Sequence, residues 1–315
     1  MKNLIMDIKH ILSGYNFFND KYLRNIDFAR ESFAAALKKA RQYYDGKSPI
    51  KTSPELVHDS WMKNIEALVP YFKFRMNENF LLDEIINGTM VFTDKKVNIK
   101  ELQNLSSVIS AGTIAKIVSG KLNKAFIEGK SKKAAMINSV HHLHHLFQFE
   151  QTAKQRIEFS GDIVEFGGGY GNLARIANNM GHHRNYHIID LLPLSCIQYV
   201  FLATVFDEKE VAFTDQATDA AKFILHPLFG PDTMNGLNCD LFISTWALSE
   251  SPRKVYELVA GCDWFGAKQL LMAYNNAWKP WQDGELEASL ENNGWSIKKQ
   301  PISFLPGNFY LFSTR

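Results

Sequence analysis

Two rhythms of apolar and polar positions divide the chain. From the start to about residue 155 the apolar residues recur at helical spacing. In "KYLRNIDFARESFAAALKKARQYYDG", Leu23, Ile26, Phe33, Leu37 and Tyr44 fall three to four residues apart or at multiples of that, and the pattern stops at Gly46. "SPELVHDSWMKNIEALVPYF" predicts a helix capped by Ser53, with Pro54 in its first turn. "IKELQNLSSVISAGTIAKIVSG" and "SKKAAMINSVHHLHHLFQFEQTAKQ" predict further helices, and "GTMVFTDKKVNI" a short hairpin or loop. From Gly161 short apolar runs alternate with helical ones: "DIVEFG", "YHIIDL", "PLSCIQYVFLATVF", "EVAFTD", "CDLFISTW", "SPRKVYELVAG", "AKQLLMAYN" and "GELEASLENNG". "WSIKKQPISF" and "NFYLFSTR" close the chain with no helix between them. Alternation of this kind predicts an α/β fold, a doubly wound and mostly parallel sheet covered on both faces, with one reversed strand near its edge. The expected organisation is a helical domain over residues 1–155 and an α/β domain over 156–315.

Composition narrows the class without naming a function. The 315 residues are 46% hydrophobic and 22% charged, as in soluble globular chains, and are enough for two domains. A net charge of +2 lacks the basic excess of a nucleic-acid protein. The three cysteines, Cys196, Cys239 and Cys262, form neither a disulfide framework nor a CxxC pair, which suits a reducing, cytoplasmic setting. Asp7, Lys9 and His10 interrupt the apolar N-terminus, so no secretory core is expected there, and no apolar run is long enough for a membrane span.

Candidate chemistry gathers at "IVEFGGGYGNLARIA", residues 163–177. Glycines between a strand and a helix let the backbone turn sharply and let a ligand touch it, beyond the carboxyl ends of the strands. A dinucleotide site wants G-x-G-x-x-G, and Asn172 occupies the last position instead. The pattern present is E-x-G-x-G-x-G, made by Glu165, Gly167, Gly169 and Gly171. A second acid, Asp190, ends the next strand 25 residues on (190 − 165) and is placed to accept ribose hydroxyls.

These residues resemble the first motif of the S-adenosylmethionine-dependent methyltransferases, a seven-stranded sheet of class I type. "VEFGGGYGNLARIA", "YHIIDLLPL" and "DLFISTWALSE" are together similar to the sugar O-methyltransferase branch. The resemblance covers about residues 140–315. It implies S-adenosyl-L-methionine as cofactor, with Glu165 at the methionine amino group, Gly167, Gly169 and Gly171 along the methionine and ribose, and Asp190 on the ribose. It also implies Asp215, after "FTD", near adenine, and it implies methyl transfer to a hydroxyl of a small polyhydroxylated acceptor such as a sugar or sugar conjugate. Tyr170 and Trp246 are expected to touch the cofactor. In related O-methyltransferases a histidine base follows the fourth strand; Ser249 stands at that place, so the base is sought elsewhere.

Glu250 is the first candidate base, against an ordinary acidic position before a helix; His226 is the second, against a plain surface histidine. The "HHLHH" run, with His141, His144 and His145 on one face, reads as a polar helix face, then as a wall of the acceptor pocket, and last as a metal site. No residue is assigned as a metal ligand, and a divalent cation held with Asp215 or Asp219 is left open, since some sugar methyltransferases use one. "NNAWKPW" offers Asn275 and Asn276 for hydroxyls and Trp278 or Trp281 for stacking. The helical half is expected to complete the acceptor pocket and to provide a dimer contact. Two other readings remain: a non-catalytic cofactor-binding scaffold, and a nicotinamide oxidoreductase.

Overall fold

The structure is a computed structural model that describes residues 26–48, 52–92, 94–122 and 130–315. The expectations for the N-terminal segment and for Leu23 lie outside these residues. Among the described residues, helices α1 (Ile26–Lys47), α2 (Asp59–Pro70), α3 (Glu84–Met90), α4 (Lys95–Ser106), α5 (Ala111–Ser119) and α6 (Lys130–Ala153) precede the sheet.

Local capping explains where these helices differ from the sequence pattern. Helix α2 starts at Asp59, where the His58 ring accepts from the Ser60 amide, and Ser53 opens only a 3-10 turn. The segment before it is held elsewhere: Thr52 Oγ1 donates to the Leu228 carbonyl, and the Ser53 amide to that of Phe229. The run expected as a hairpin or loop is a short connection between α3, which ends at Met90, and α4, which starts at Lys95 because Asp94 Oδ1 accepts from the amides of Lys96 and Val97. The long helix expected from residue 99 is two helices, since Ser110 Oγ caps α5.

The second half contains β1 (Ile163–Phe166), α7 (Asn172–Asn179), β2 (Tyr186–Asp190), α8 (Leu192–Val205), β3 (Val211–Phe213), β4 (Phe223–Pro227), β5 (Leu241–Thr245), α9 (Arg253–Gly261), β6 (Gln269–Asn275), α10 (Glu285–Asn292), β7 (Ser296–Pro301) and β8 (Asn308–Thr314). The strands form one sheet of order β3-β4-β2-β1-β5-β6-β8-β7. All neighbours pair in parallel except β8, which is antiparallel to both β6 and β7. This is the expected doubly wound, mostly parallel sheet, with eight strands where seven are expected. The additional strand is β4. Its run "FILHP" ends in a histidine and a proline and reads as a loop in sequence, yet it inserts between β2 and β3.

One core cluster joins the helical half to the sheet: Phe33, Phe72, Phe80 and Leu143 are buried together with Tyr186, Phe201, Phe223 and Phe312. The hydrophobic interior is thus continuous across residue 155. A second cluster, including Phe166, Phe242, Val255, Leu286 and Trp295, fills the opposite face of the sheet under α9 and α10. No helix among the described residues is long and apolar enough to cross a membrane.

Candidate functional site

The register of the central strands builds the site. Phe166 pairs with Ile189 across β1 and β2, so Glu165 and Asp190 stand near the carboxyl ends of neighbouring parallel strands. There a cavity of about 420 Å³ opens between the sheet and the helical half, a size suited to a small ligand. Glu165, Gly167, Gly168, Gly169, Tyr170, Asp190, Trp246 and Glu250 line it.

The glycine bend is shaped by close packing below and open space above. Gly167 has φ +80°, and a Cβ there would come 1.9 Å from that of Ala247. At Gly168 a Cβ would come 2.5 Å from Ile188 Cγ2. Gly169, at φ +55°, has nothing nearer than Met90 Cβ at 3.8 Å, so its bare backbone faces the cavity. Gly171 differs. It caps α7 at φ +90° and packs over Leu202 on α8, without lining the cavity.

Both acids are deeply buried. Tyr186 OH donates to Glu165 Oε2 at 2.9 Å, and burial, helped by nearby Asp190, pushes the Glu165 carboxyl up to about 8. Asp190 accepts from the Leu191 amide at 2.8 Å and from Gln198 Nε2 at 2.7 Å. Burial outweighs these bonds and raises it to about 7. Leu56, Val57, Leu191, Leu194 and Leu228 add an apolar flank, two of them from the segment that Thr52 and Ser53 tie down. Among the described residues no lysine or arginine lines the cavity.

Besides Gly171, two expected residues lie outside the cavity. Asp215 follows β3, which β4 has displaced to the sheet edge; it accepts from Tyr43 OH at 3.0 Å and pairs with Lys47 at 2.6 Å. His226 is inside β4 rather than in a loop over the crevice. It is buried, bonded to His187 Nδ1 at 2.9 Å, and burial lowers it to about 3. Tyr170 reaches the cavity, but its ring is core: it packs edge-on to Phe201 at 4.9 Å, and its hydroxyl accepts from Asn138.

Beyond β5 the chain turns at Trp246, whose φ of +66° is rare for a residue with a side chain. The indole donates to Asn308 Oδ1 at 2.7 Å and stacks near His141 at 5.4 Å. Ser249 is buried and donates to the Trp246 carbonyl, so it serves the turn. Glu250 Oε2 accepts from Trp61 Nε1 at 3.2 Å, and burial raises its pKa. Asn275 and the 64% exposed Trp278 stand at the cavity wall; Trp281 is buried in the core beside Tyr256, and Asn276 does not line the cavity.

The histidines of α6 form the opposite wall: His141, His142 and His145 line the cavity. His141 Nδ1 meets Glu101 Oε1 at 2.5 Å, and its Nε2 lies 3.1 Å from His145 Nε2. Burial alone would raise Glu101, yet the His141 ring holds it below the ordinary carboxylate value. Burial drives His142 and His145 well below the usual imidazole range. Arg175, fully buried on α7, fixes this wall to the glycine loop. It donates to Asn172 Oδ1, Ser139 Oγ and the carbonyls of Val118 and Gly120. The "HHLHH" spacing signals a shared face, but Glu101, 40 residues upstream, carries no sequence mark of its partnership.

No family profile and no curated protein matches the chain. Among solved structures, the mitomycin 7-O-methyltransferase MmcR aligns over 70% of this chain and 67% of its own, at 12% identity and a TM-score of 0.40. An O-methyltransferase family protein from Burkholderia thailandensis aligns over 82% and 95%, at 9% identity and a TM-score of 0.40. The Methanococcus jannaschii fibrillarin pre-rRNA processing protein aligns over 50% and 67%, at 12% identity and a TM-score of 0.37.

Proposed function

We propose that the chain is an S-adenosylmethionine-dependent O-methyltransferase whose acceptor is a small, uncharged polyhydroxylated molecule, a sugar or sugar conjugate. The observation that supports this most is the convergence of Glu165 and Asp190 on one cavity, on either side of a glycine bend whose backbone is bare at Gly169. The residues fit the cofactor. It carries a net positive charge, and the cavity offers three carboxyl groups, those of Glu165, Asp190 and Glu250, and, among the described residues, no lysine or arginine. That charge pattern, with Asn172 in place of a third glycine, suits a pyrophosphate poorly and so disfavours a nicotinamide cofactor.

In this reading Glu165 takes the amino group, Asp190 the ribose hydroxyls, and the leucines around Leu191 and Leu228 the adenine. The bound cofactor supplies a methyl group on a sulfonium sulfur, open to displacement by a hydroxyl oxygen. The chain's own task is alignment and exclusion of water. Trp61, Trp246 and Trp278 give apolar platforms for a sugar face, while the α6 histidines and Glu250 provide polar contacts.

Isothermal titration with S-adenosylmethionine tests the cofactor assignment. We expect saturable binding that Asp190→Ala weakens on the order of 100-fold; no binding to the folded chain at millimolar cofactor would overturn it. Binding without S-adenosylhomocysteine formation from any acceptor pool would favour a scaffold.

A further inference from the structure

Two tautomers can be read from hydrogen-bond arithmetic on α6, and they define what the acceptor must be. A carboxylate only accepts, so the link between Glu101 Oε1 and His141 Nδ1 puts the proton on Nδ1. Asn98 Nδ2 donates to the other oxygen of Glu101 at 3.1 Å, in keeping with its ionised state. A neutral His141 then carries its lone pair on Nε2. His145 Nε2, 3.1 Å away, must then supply the proton between them.

That requires His145 Nδ1 to accept, and Tyr310 OH lies 2.6 Å from it. The phenol has one proton. Its second histidine contact, to His144 Nδ1, is longer at 3.2 Å, so the phenol donates to His145 and accepts from His144. His144 Nε2 then accepts from Gln148 Nε2 at 3.2 Å. Every link is satisfied with neutral rings, and burial lowers His144, to about 4, and His145, which suits neutrality at those two rings. Phe92, stacked on His141 at 4.1 Å, and Trp246 cover the rings.

We propose that His141 and His145 form a clamp for a hydroxyl group, with a bare nitrogen and an N–H side by side on the cavity wall, held in those states from behind by Glu101 and Tyr310. This rests on the methyl-transfer reading. A hydroxyl entering between the two nitrogens donates to His141 and accepts from His145, replacing one hydrogen bond by two. Its remaining lone pair attacks the methyl group. The oxygen–methyl bond forms as the methyl–sulfur bond breaks, the hydroxyl proton passes to His141 Nε2, and the positive charge of the sulfonium becomes that of an imidazolium beside Glu101.

A neutral amine fails the same clamp. Its single lone pair cannot both accept from His145 and attack, so the arrangement selects oxygen over nitrogen. A metal site is the rival use of two such close nitrogens. The third cavity histidine cannot complete it: Arg175 only donates, so Asn172 Oδ1 accepts and its Nδ2 donates to His142 Nδ1 at 2.9 Å. The His142 proton therefore sits on Nε2, which presents a donor rather than a ligand.

Long-range proton–nitrogen NMR on the full chain with nitrogen-15-labelled histidine, at pH 7.5, reads these tautomers directly. We expect His141 protonated only at Nδ1, and His142 and His145 only at Nε2. Tyr310→Phe should let His145 populate both tautomers, and Glu101→Gln should do the same for His141, while S-adenosylmethionine affinity stays within about twofold. His145 protonated at Nδ1, a doubly protonated His141, or saturable binding of zinc chloride that shifts both rings would overturn the clamp. With a mixed pool of small hydroxyl and amino compounds, label from methyl-tritiated cofactor should appear in methyl ethers; N-methyl products would overturn it. Failure of cofactor binding would instead remove the methyl-transfer reading and leave the tautomer result standing.

Discussion

The two walls of the cavity handle charge in opposite ways. On the sheet side, Glu165 and Asp190 are acids whose carboxyls burial pushes up to about 8 and about 7. On the helical side, His142 and His145 are bases that burial keeps from becoming charged. Both walls approach neutrality for the same reason, the cost of an ion out of water, yet they respond differently to a ligand. A cationic ligand restores the acids' charge. The histidines stay neutral and offer directed hydrogen bonds.

The largest change should come from the bend that sets the two walls apart. Gly167→Ala forces a Cβ into Ala247 at a positive φ, and we expect a loss of roughly 3 kcal/mol of stability together with cofactor binding, read by thermal melting and titration. Asp190→Ala spares the bend and removes one grip on the ligand. The dissociation constant for S-adenosylmethionine should rise on the order of 100-fold.

Glu165→Gln separates folding from binding on the sheet side. A carboxyl with a raised folded-state pKa costs stability as pH climbs from its unfolded value, about 4.5, towards about 8. The glutamine variant should therefore be more stable than the parent at pH 8, by roughly 2 kcal/mol, and no more stable at pH 4. Cofactor affinity should fall about tenfold at pH 8. In the parent, affinity should strengthen as pH rises from 6 to 8 and level off above, with protons released on binding below the plateau. Titrations in buffers of different ionisation enthalpy measure that release. The smallest effect is expected at Asp215→Asn, which removes the pair with Lys47 at the sheet edge: less than about 1 kcal/mol in stability, and cofactor affinity unchanged within twofold.

Sequence and structure part company along the same divide. The sheet wall was legible because its chemistry is local. Glu165, Gly167 and Gly169 lie in one strand-to-helix turn, and Asp190 ends the next strand; period-two and helical patterns place both. The expectation for Asp215 came from the family resemblance, and Asp215 does not line the cavity, because "FILHP" forms a strand between β2 and β3 that no pattern marked. Tyr170 was expected at the ligand because of its neighbours in the chain, yet its ring found Phe201 and the helical half. The helix start expected at Ser53 and the extent of the loop in "GTMVFTDKKVNI" were set instead by caps at His58 and Asp94 and by tethers to residues 228–229.

The sequence alone determined the alternation of strands and helices, the reversed final strand, and a glycine turn between two acids, because each depends on residues a few positions apart. Only the tertiary structure decided that α6 faces that turn, that Glu101 and Tyr310 fix the protons on its histidines, and that one hydrophobic core unites the two halves. Hydrogen bonds and burial between residues 40 to 166 positions apart leave no periodic trace in a chain, since their strength depends on distance in space and on exclusion of water rather than on order along the backbone.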